Sequence, residues 1–478
     1  AHEVWDRKNP PRFCIYDFAT EKFRYEDRID LGERTSDDRK VVHVPLKTPA
    51  VFEGQVLLPR GVTPCTFEDA YREACELTFR LYECEPEMVA HVKLLIAIDI
   101  GGWFLDRFIE DPTLQTAGIG RFAVILALRG PSGSGKMRLL HALRLIAFMP
   151  YFDVSTRRIP SLYRPLDQWR GTLVIDECDF RYSDETSDLI HYLNCRSYGV
   201  PISRVNPNDP SKSDTFHNFG ITIVTQRRPW VDNATEDRSI PFYCERTAKP
   251  VPTAELDEWI QRGLDLQDKL LYLRMTHYRK VRIDKAARVA GVREHRLTAA
   301  VLPVLALEPY APAMVADLKK TLLDVERRRR EVKAQTVDGI VINALWERIE
   351  QGAIGQHTGI LYVATRMEKT DAGGEATDVT VPLTTSELAE SLKWGEKGQS
   401  IRGVINSLSL VVGKPPARIK IGGKVYRPIW FTVSHMEARL QDFVVDYQPG
   451  GLAEKVKELG INETIATEQP KEGPLDNY

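Results

Sequence analysis

Apolar residues recur along this chain at three spacings, and each spacing predicts a different element. Uninterrupted runs are the first kind. Phe122-Ala-Val-Ile-Leu-Ala-Leu128, Thr172-Leu-Val-Ile175 and Ile221-Thr-Ile-Val224 are rich in β-branched residues without polar alternation, so they read as strands buried on both faces of a parallel sheet. Short alternating runs are the second kind: Phe13-Cys-Ile-Tyr16, Val41-Val-His-Val44 and Gln55-Val-Leu-Leu58, broken by proline, glycine and charge, predict a small β-rich module over residues 1–64. Helical periodicity is the third. It marks Phe67 to Arg72 and Met88 to Asp99, giving two or three helices over 65–118 with Thr66 to Asp69 as an N-cap opening and Trp103-Phe104 in the core. After the break at Pro250-Val-Pro252 it returns over Ala254 to Lys285, with Trp259, Leu264, Leu270, Leu271 and Leu273 on repeating faces, in a helical region spanning 249–336. Within that region Arg327 to Arg330 cover all faces of one helical turn and read as a solvated stretch.

The remainder predicts one more folded unit, 337–445, and a tail, 446–478. Val337 to Glu350 reads as a helix, Thr384 to Leu392 as a second with a capping box, and Ser400 to Leu408 as a third. A hairpin follows, with Arg418 to Ile421 and Lys424 to Phe431 as arms and Gly422-Gly423 as the turn. Helix, turn, helix and basic hairpin look like a winged helix. In such a fold Arg402 would enter a DNA groove while Lys420, Lys424 and Arg427 reach phosphates, although a winged helix used for protein contact has the same look. Residues 352–382, rich in Gly, Thr and Asp, read as an insertion, and beyond Gln448 periodicity fades except for a short helix at Leu452 to Leu459.

Composition narrows the classes. With 478 residues and 43% hydrophobic content, the chain has material for several separate cores. A net charge of −2 provides no global basic field, so any nucleic-acid contact must rest on local patches. The seven cysteines are scattered without a C-x-x-C pair, which argues against zinc and a disulfide framework and for a reducing compartment, cytoplasmic or nucleoid-associated. Apolar runs such as Phe122 to Leu128 fall short of a membrane span, so no membrane is expected.

The densest chemistry follows the first strand. Gly130-Pro131-Ser132-Gly133-Ser134-Gly135-Lys136 fits G-x-x-x-x-G-K between a strand and a helix, the form of a loop whose N–H groups cradle phosphates while its lysine reaches the outer ones. The next position, normally Ser or Thr for Mg²⁺, is Met137. Asp176 and Glu177 end the second strand, where one carboxylate suits Mg²⁺ and the other an attacking water. At the end of the third, Thr225 or Gln226 would lie beside them. Arg238 follows a short polar helix, where a finger into a neighbouring subunit and a plain surface salt bridge fit equally well.

With these elements in this order, residues 119–248 resemble the AAA+ ATPases, and most closely the superfamily 3 and minichromosome-maintenance-like ring helicases of viruses, plasmids and mobile elements, with a weaker echo to about residue 310. The resemblance implies an α/β P-loop core with a helical lid, ATP and Mg²⁺ as cofactors, and a homo-oligomeric ring, expected to be a hexamer. It makes Lys136, Glu177, Thr225, Gln226 and Arg238 the catalytic set, with Asp176 and Glu177 on the metal. Arg296 joins them as the lid arginine, with Arg282, Arg288 and Arg293 as close competitors. The interval between the second and third strands then holds a DNA-gripping hairpin with Arg204 and Lys212 as contacts, for which an ordinary polar loop is the alternative. The expected activity is ATP-driven DNA unwinding or translocation in replication of a mobile element or virus; a DNA-assembling initiator or regulator without unwinding is the alternative. A small-molecule kinase would leave the lid, the finger and the tail domain unexplained.

Overall fold

The uninterrupted apolar runs become β1 (Ile125–Arg129), β3 (Leu173–Asp176) and β4 (Thr222–Gln226), joined by β2 (Tyr151–Val154) and β5 (Ser239–Tyr243). All five pair in parallel in the order β5-β1-β4-β3-β2. The computed structural model describes residues 1–34, 39–108, 121–154, 160–178, 184–206, 209–230, 232–246, 256–357, 360–370, 376–394, 401–408, 418–421 and 423–461. They divide into two units, Ala1–Val325 and Glu326–Tyr478.

Helices cover the sheet because β1, β3 and β4 are buried throughout and need apolar cover on both faces. The helices are α1 (Phe67–Leu81), α2 (Val89–Gly101), α3 (Lys136–Ile146), α4 (Asp184–Tyr198), α5 (Asn233–Asp237), α6 (Leu256–His277) and α7 (His295–Leu305). Thr66 caps α1 by accepting from the Asp69 N–H at 3.1 Å, as the sequence predicts. Trp103 is fully buried and donates its indole N–H to Ile146 O at 2.8 Å, and Phe104 lies beside it in the core. The helices read as a lid pack into the body of the unit, α6 against α1 and α3, α7 against α2.

Residues 1–64 do form strands, a three-stranded antiparallel sheet and a separate two-stranded hairpin, but they share the central core. Val4 and Cys14 pack in one cluster with Leu126 and Leu128, while Val51, Val56 and Leu58 join Ile125 and Ala127 in another. Arg60 fastens the segment to α6, its Nη2 2.8 Å from Asp268 Oδ2. Pro86–Phe108 also departs from expectation, being long and apolar enough to cross a membrane, with 78% of its apolar window buried in the protein. His91, Lys93 and Asp99 interrupt the run in sequence, yet the mean hydropathy stays high because α2 is a central core helix.

In the second unit, the Val337–Glu350 helix is capped by Thr336, and Thr384 with Glu387 forms the expected capping box. Residues 352–382, read as an insertion, supply instead the unit's sheet: Ile354–His357, Ile360–Thr370 and Ala376–Pro382 pair antiparallel. The second arm of the predicted hairpin splits at Pro428. Lys424–Tyr426 pairs with Ile419–Ile421, whereas Ile429–Phe431, buried on both faces, leaves to pair with Leu361–Val363. The start of the predicted tail folds as well, since Gly451–Glu458 is a helix that buries Leu452 and Val456. Its last residues, 462–478, lie outside the described residues. The arginine run is only half solvated: Arg329 is buried, and Arg330 bonds to Val445 O at 3.1 Å and to Glu326 at 3.2 Å.

Asp99 is fully buried in α2, with no partner for either carboxyl oxygen. Burial holds its pKa well above the ordinary 3.8. The folded state therefore keeps this proton where the unfolded chain has lost it, so the group's contribution to stability falls as pH rises above 3.8 until the folded carboxyl itself ionises. Asp99→Asn removes that slope, and in urea unfolding the variant should gain on the wild type between about pH 5 and about pH 8. Equal pH slopes for the two proteins would contradict a protonated Asp99.

Candidate nucleotide site

Three chain segments converge at the carboxyl ends of β1, β3 and β4. The loop after β1 turns on glycines with positive φ, Gly130 at 147°, Gly133 at 78° and Gly135 at 80°. At Gly130 a Cβ would press on Cys244 O and lie 2.7 Å from Ser134 Oγ, so the tight approach admits no side chain. Gly135 then opens α3, and the N–H groups of Lys136 and Met137 face no protein acceptor among the described residues. Lys136 Nζ is held over the loop by Gly130 O and Pro131 O, each at 2.7 Å. Arg246, unmarked by the sequence, latches the loop from outside with Nη2 2.8 Å from Ser132 O.

The parallel register aligns Val224 with Ile175, which brings Thr225 against Asp176. Thr225 Oγ1 donates to Asp176 Oδ1 at 2.5 Å and accepts from the Glu177 N–H at 2.9 Å. One hydroxyl thus fixes both acids. Asp176 is buried, while Glu177 is exposed and sits at φ 54°, a left-handed conformation costly for a residue with a side chain.

A cavity of about 410 Å³ joins these parts, lined by Lys136, Met137, Asp176, Glu177 and Thr225. Tyr82 and Glu83, just past α1, add a wall that nothing in the sequence signals, and Arg227 and Glu245 add two more charged groups. The thiol of Cys244, beside the loop, is pushed up to about 12 by burial and so stays a neutral filler. The donor set fits a triphosphate: unpaired first-turn N–H groups, a lysine, and a buried Ser134 Oγ without a partner. For magnesium the set is one ligand short, because Met137 reaches the cavity with a thioether, half exposed, in place of a hydroxyl.

The other predicted residues lie elsewhere. Gln226 turns away and accepts from Arg129 Nε at 2.9 Å, inside a buried cluster in which Arg129 Nη1 also donates to Glu236 at 2.7 Å. Of the Thr225 and Gln226 pair, only Thr225 lines the cavity. Arg238 bonds to Ala234 O and lies 5.0 Å from the centre of the Tyr198 ring, while Arg296 pairs with Asp237 at 3.0 Å. Neither reaches this chain's own cavity. Between β3 and β4, Ile202–Asn206 and Asp209–Phe216 form an antiparallel hairpin that places Arg204 opposite Asp214 and pairs Lys212 with Asp209 at 2.9 Å. In the second unit Arg402, Lys420, Lys424 and Arg427 are all exposed.

No protein-family model matches the chain, and no curated protein does. Among solved structures, the chain is similar to an active helicase described as SCCmec type IV Cch, at 12% identity and a TM-score of 0.36, over 77% of this chain and 71% of that one. It is similar also to the NrS-1 C-terminal region in its apo A form, again at 12% identity and TM-score 0.36, covering 81% and 79%. An inhibitor-bound JCV helicase follows at 14% identity and TM-score 0.19, covering 54% and 73%. These are likenesses of fold alone.

Gly130→Ala tests the cradle directly. Because the added methyl collides with Cys244 O and Ser134, affinity for a fluorescent ATP analogue should fall about tenfold or more while the circular dichroism spectrum is unchanged. Unaltered affinity would mean that the loop does not close on phosphate.

Proposed function

We propose that this chain is an ATP-driven motor on DNA, a helicase or translocase of the AAA+ kind that acts as a homo-oligomeric ring, a hexamer, in replication of a virus or mobile element. One observation carries the proposal: Lys136, Asp176, Glu177 and Thr225 meet around a single cavity at the carboxyl ends of adjacent parallel strands. Bound ATP with Mg²⁺ supplies the phosphoanhydride bond. Lys136 binds phosphate oxygens, and Asp176 holds the cation. Glu177 takes the proton of the attacking water, aimed by the Thr225 hydroxyl that accepts from its N–H. Arg238, outside this chain's own cavity, serves a neighbouring subunit, and Arg296, paired with Asp237, belongs to the lid. The lid role for α6 follows from the resemblance, with α6 packed into the body against α1 and α3. Exposed Arg204 on the hairpin suits a strand in the ring pore, and exposed Lys212, on the facing strand and paired with Asp209, joins it. Arg402, Lys420, Lys424 and Arg427, on a helix and hairpin of winged-helix type, suit duplex DNA, and the free cysteines suit a reducing, cytoplasmic home.

Met137 favours a second reading, an ATP-gated initiator or regulator that assembles on DNA without unwinding it, because the missing hydroxyl weakens turnover more than binding. Strand displacement on a forked substrate separates the two, since the motor unwinds and the assembler only binds. For the motor, Glu177→Gln should lower DNA-stimulated hydrolysis about 10²-fold or more with ATP binding retained. Absence of DNA-stimulated hydrolysis in the wild type would overturn it. Met137→Thr should raise hydrolysis and sharpen its dependence on Mg²⁺, and no change would mean that another group already completes the metal shell.

A further inference from the structure

A second cavity, of about 430 Å³, lies at the opposite end of the same sheet. Gly171 and Thr172 before β3, Gly220 and Ile221 before β4, and Arg121 before β1 line it, which places it at the amino ends of the strands. Two chemistries share its walls. Phe148, Trp169, Phe219 and Tyr278 are aromatic, with Arg274 lying over Phe148 and Tyr278 and paired with Asp106; Arg121 donates to the Tyr198 and Gly199 carbonyls, and exposed Arg170 bonds through Nε to Asp167 O. The Arg121 guanidinium lies 4.6 Å from the centre of the Phe219 ring, so cation and ring already form one surface.

Two buried polar groups on these walls have no partner. Asn218 is fully buried with neither its amide oxygen nor its amide nitrogen bonded, and the indole N–H of Trp169 is likewise unmatched. Folded proteins rarely leave such groups unsatisfied, so a bound molecule, a water or a ligand, is expected at Asn218 and Trp169. A carboxamide holds a donor and an acceptor side by side, the pattern that reads a nucleobase edge, while aromatic faces stack on bases and guanidiniums grip phosphate.

We propose that this cavity binds one nucleotide unit, a base with its phosphate, either free or within a single strand. The walls include both roots of the Ile202–Phe216 hairpin, since Gly199 precedes it and His217 and Asn218 follow it. Arg196 ties α4 to the same point through Nη1 and Asn218 O at 2.6 Å. A nucleotide seated here braces the hairpin at its base. The site needs neither Lys136 nor Asp176, so it stands independently of the ATPase proposal.

Calorimetric titration of the full chain tests it, with thymidine monophosphate and a short oligothymidine as probes. The proteins compared are the wild type, Lys136→Ala, Asn218→Leu and Arg170→Glu; Arg170 is exposed, so the last keeps a test available should the buried substitution impair folding. Binding of at least one probe should survive Lys136→Ala and fall about tenfold in Asn218→Leu and in Arg170→Glu. Binding of the oligonucleotide alone identifies a strand as the source, and binding of the monophosphate as well identifies a free nucleotide. Binding of neither probe, loss of all binding in Lys136→Ala, or indifference to Arg170→Glu overturns the proposal. Cavity binding in a protein that never hydrolyses ATP would count against the motor alone.

Discussion

A parallel sheet buried on both faces leaves its polar chemistry nowhere to go but the strand ends, and the first unit is arranged around that constraint. The interior residues of β1, β3 and β4 are apolar or satisfied within the sheet, so Lys136, Asp176 and Thr225 gather at the carboxyl ends, where the loops begin. The same exclusion operates at the amino ends, where Arg121, Trp169 and Asn218 collect around a second hollow. Two cavities of similar volume on opposite ends of one sheet are thus two consequences of a single packing requirement.

Two buried arginines show how firmly those ends are tied. Arg129 finishes β1 just before the phosphate loop and is neutralised by Glu236, so the start of the loop is bound to the segment that carries Arg238. Arg196, fully buried, has no carboxylate among its hydrogen-bond partners in the described residues and donates instead to the Thr222 hydroxyl and to the carbonyls of Gly171, Asn218 and Ile221. Burial pulls its pKa down, and the carbonyl dipoles are what make the charge tolerable there. One arginine serves each end of the sheet.

Local chemistry made the loop, the strands and most helices legible. Glycine-rich backbone, uninterrupted apolar runs and capping residues act within a few positions of themselves, which is why Gly130 to Lys136, Asp176, the Thr66 cap and the Thr384 capping box stand where the sequence places them. Long-range packing was not legible. Whether Thr225 or Gln226 faces the cavity depends on strand register, and Tyr82 reaches it from a helix far earlier in the chain. Residues 1–64 look self-contained because their alternation is local, yet Val4, Val51 and Val56 pack beneath the central sheet. Pro428 is a readable stop, but only the buried triplet after it reveals that a different strand is the partner.

Met137 sharpens the difference between gripping a nucleotide and cleaving it. Phosphate binding draws on backbone N–H groups and a lysine, none of which the methionine disturbs, whereas positioning of the metal draws on a hydroxyl that it removes. Asp176 is buried and fixed by Thr225, so its carboxylate is already ordered. Glu177 is held in a left-handed conformation at an exposed position, so packing does not account for its strain. Met137, Asp176 and Glu177 therefore pull apart: the first removes a hydroxyl from the cavity, while the other two keep beside it one fixed carboxylate and one on strained backbone.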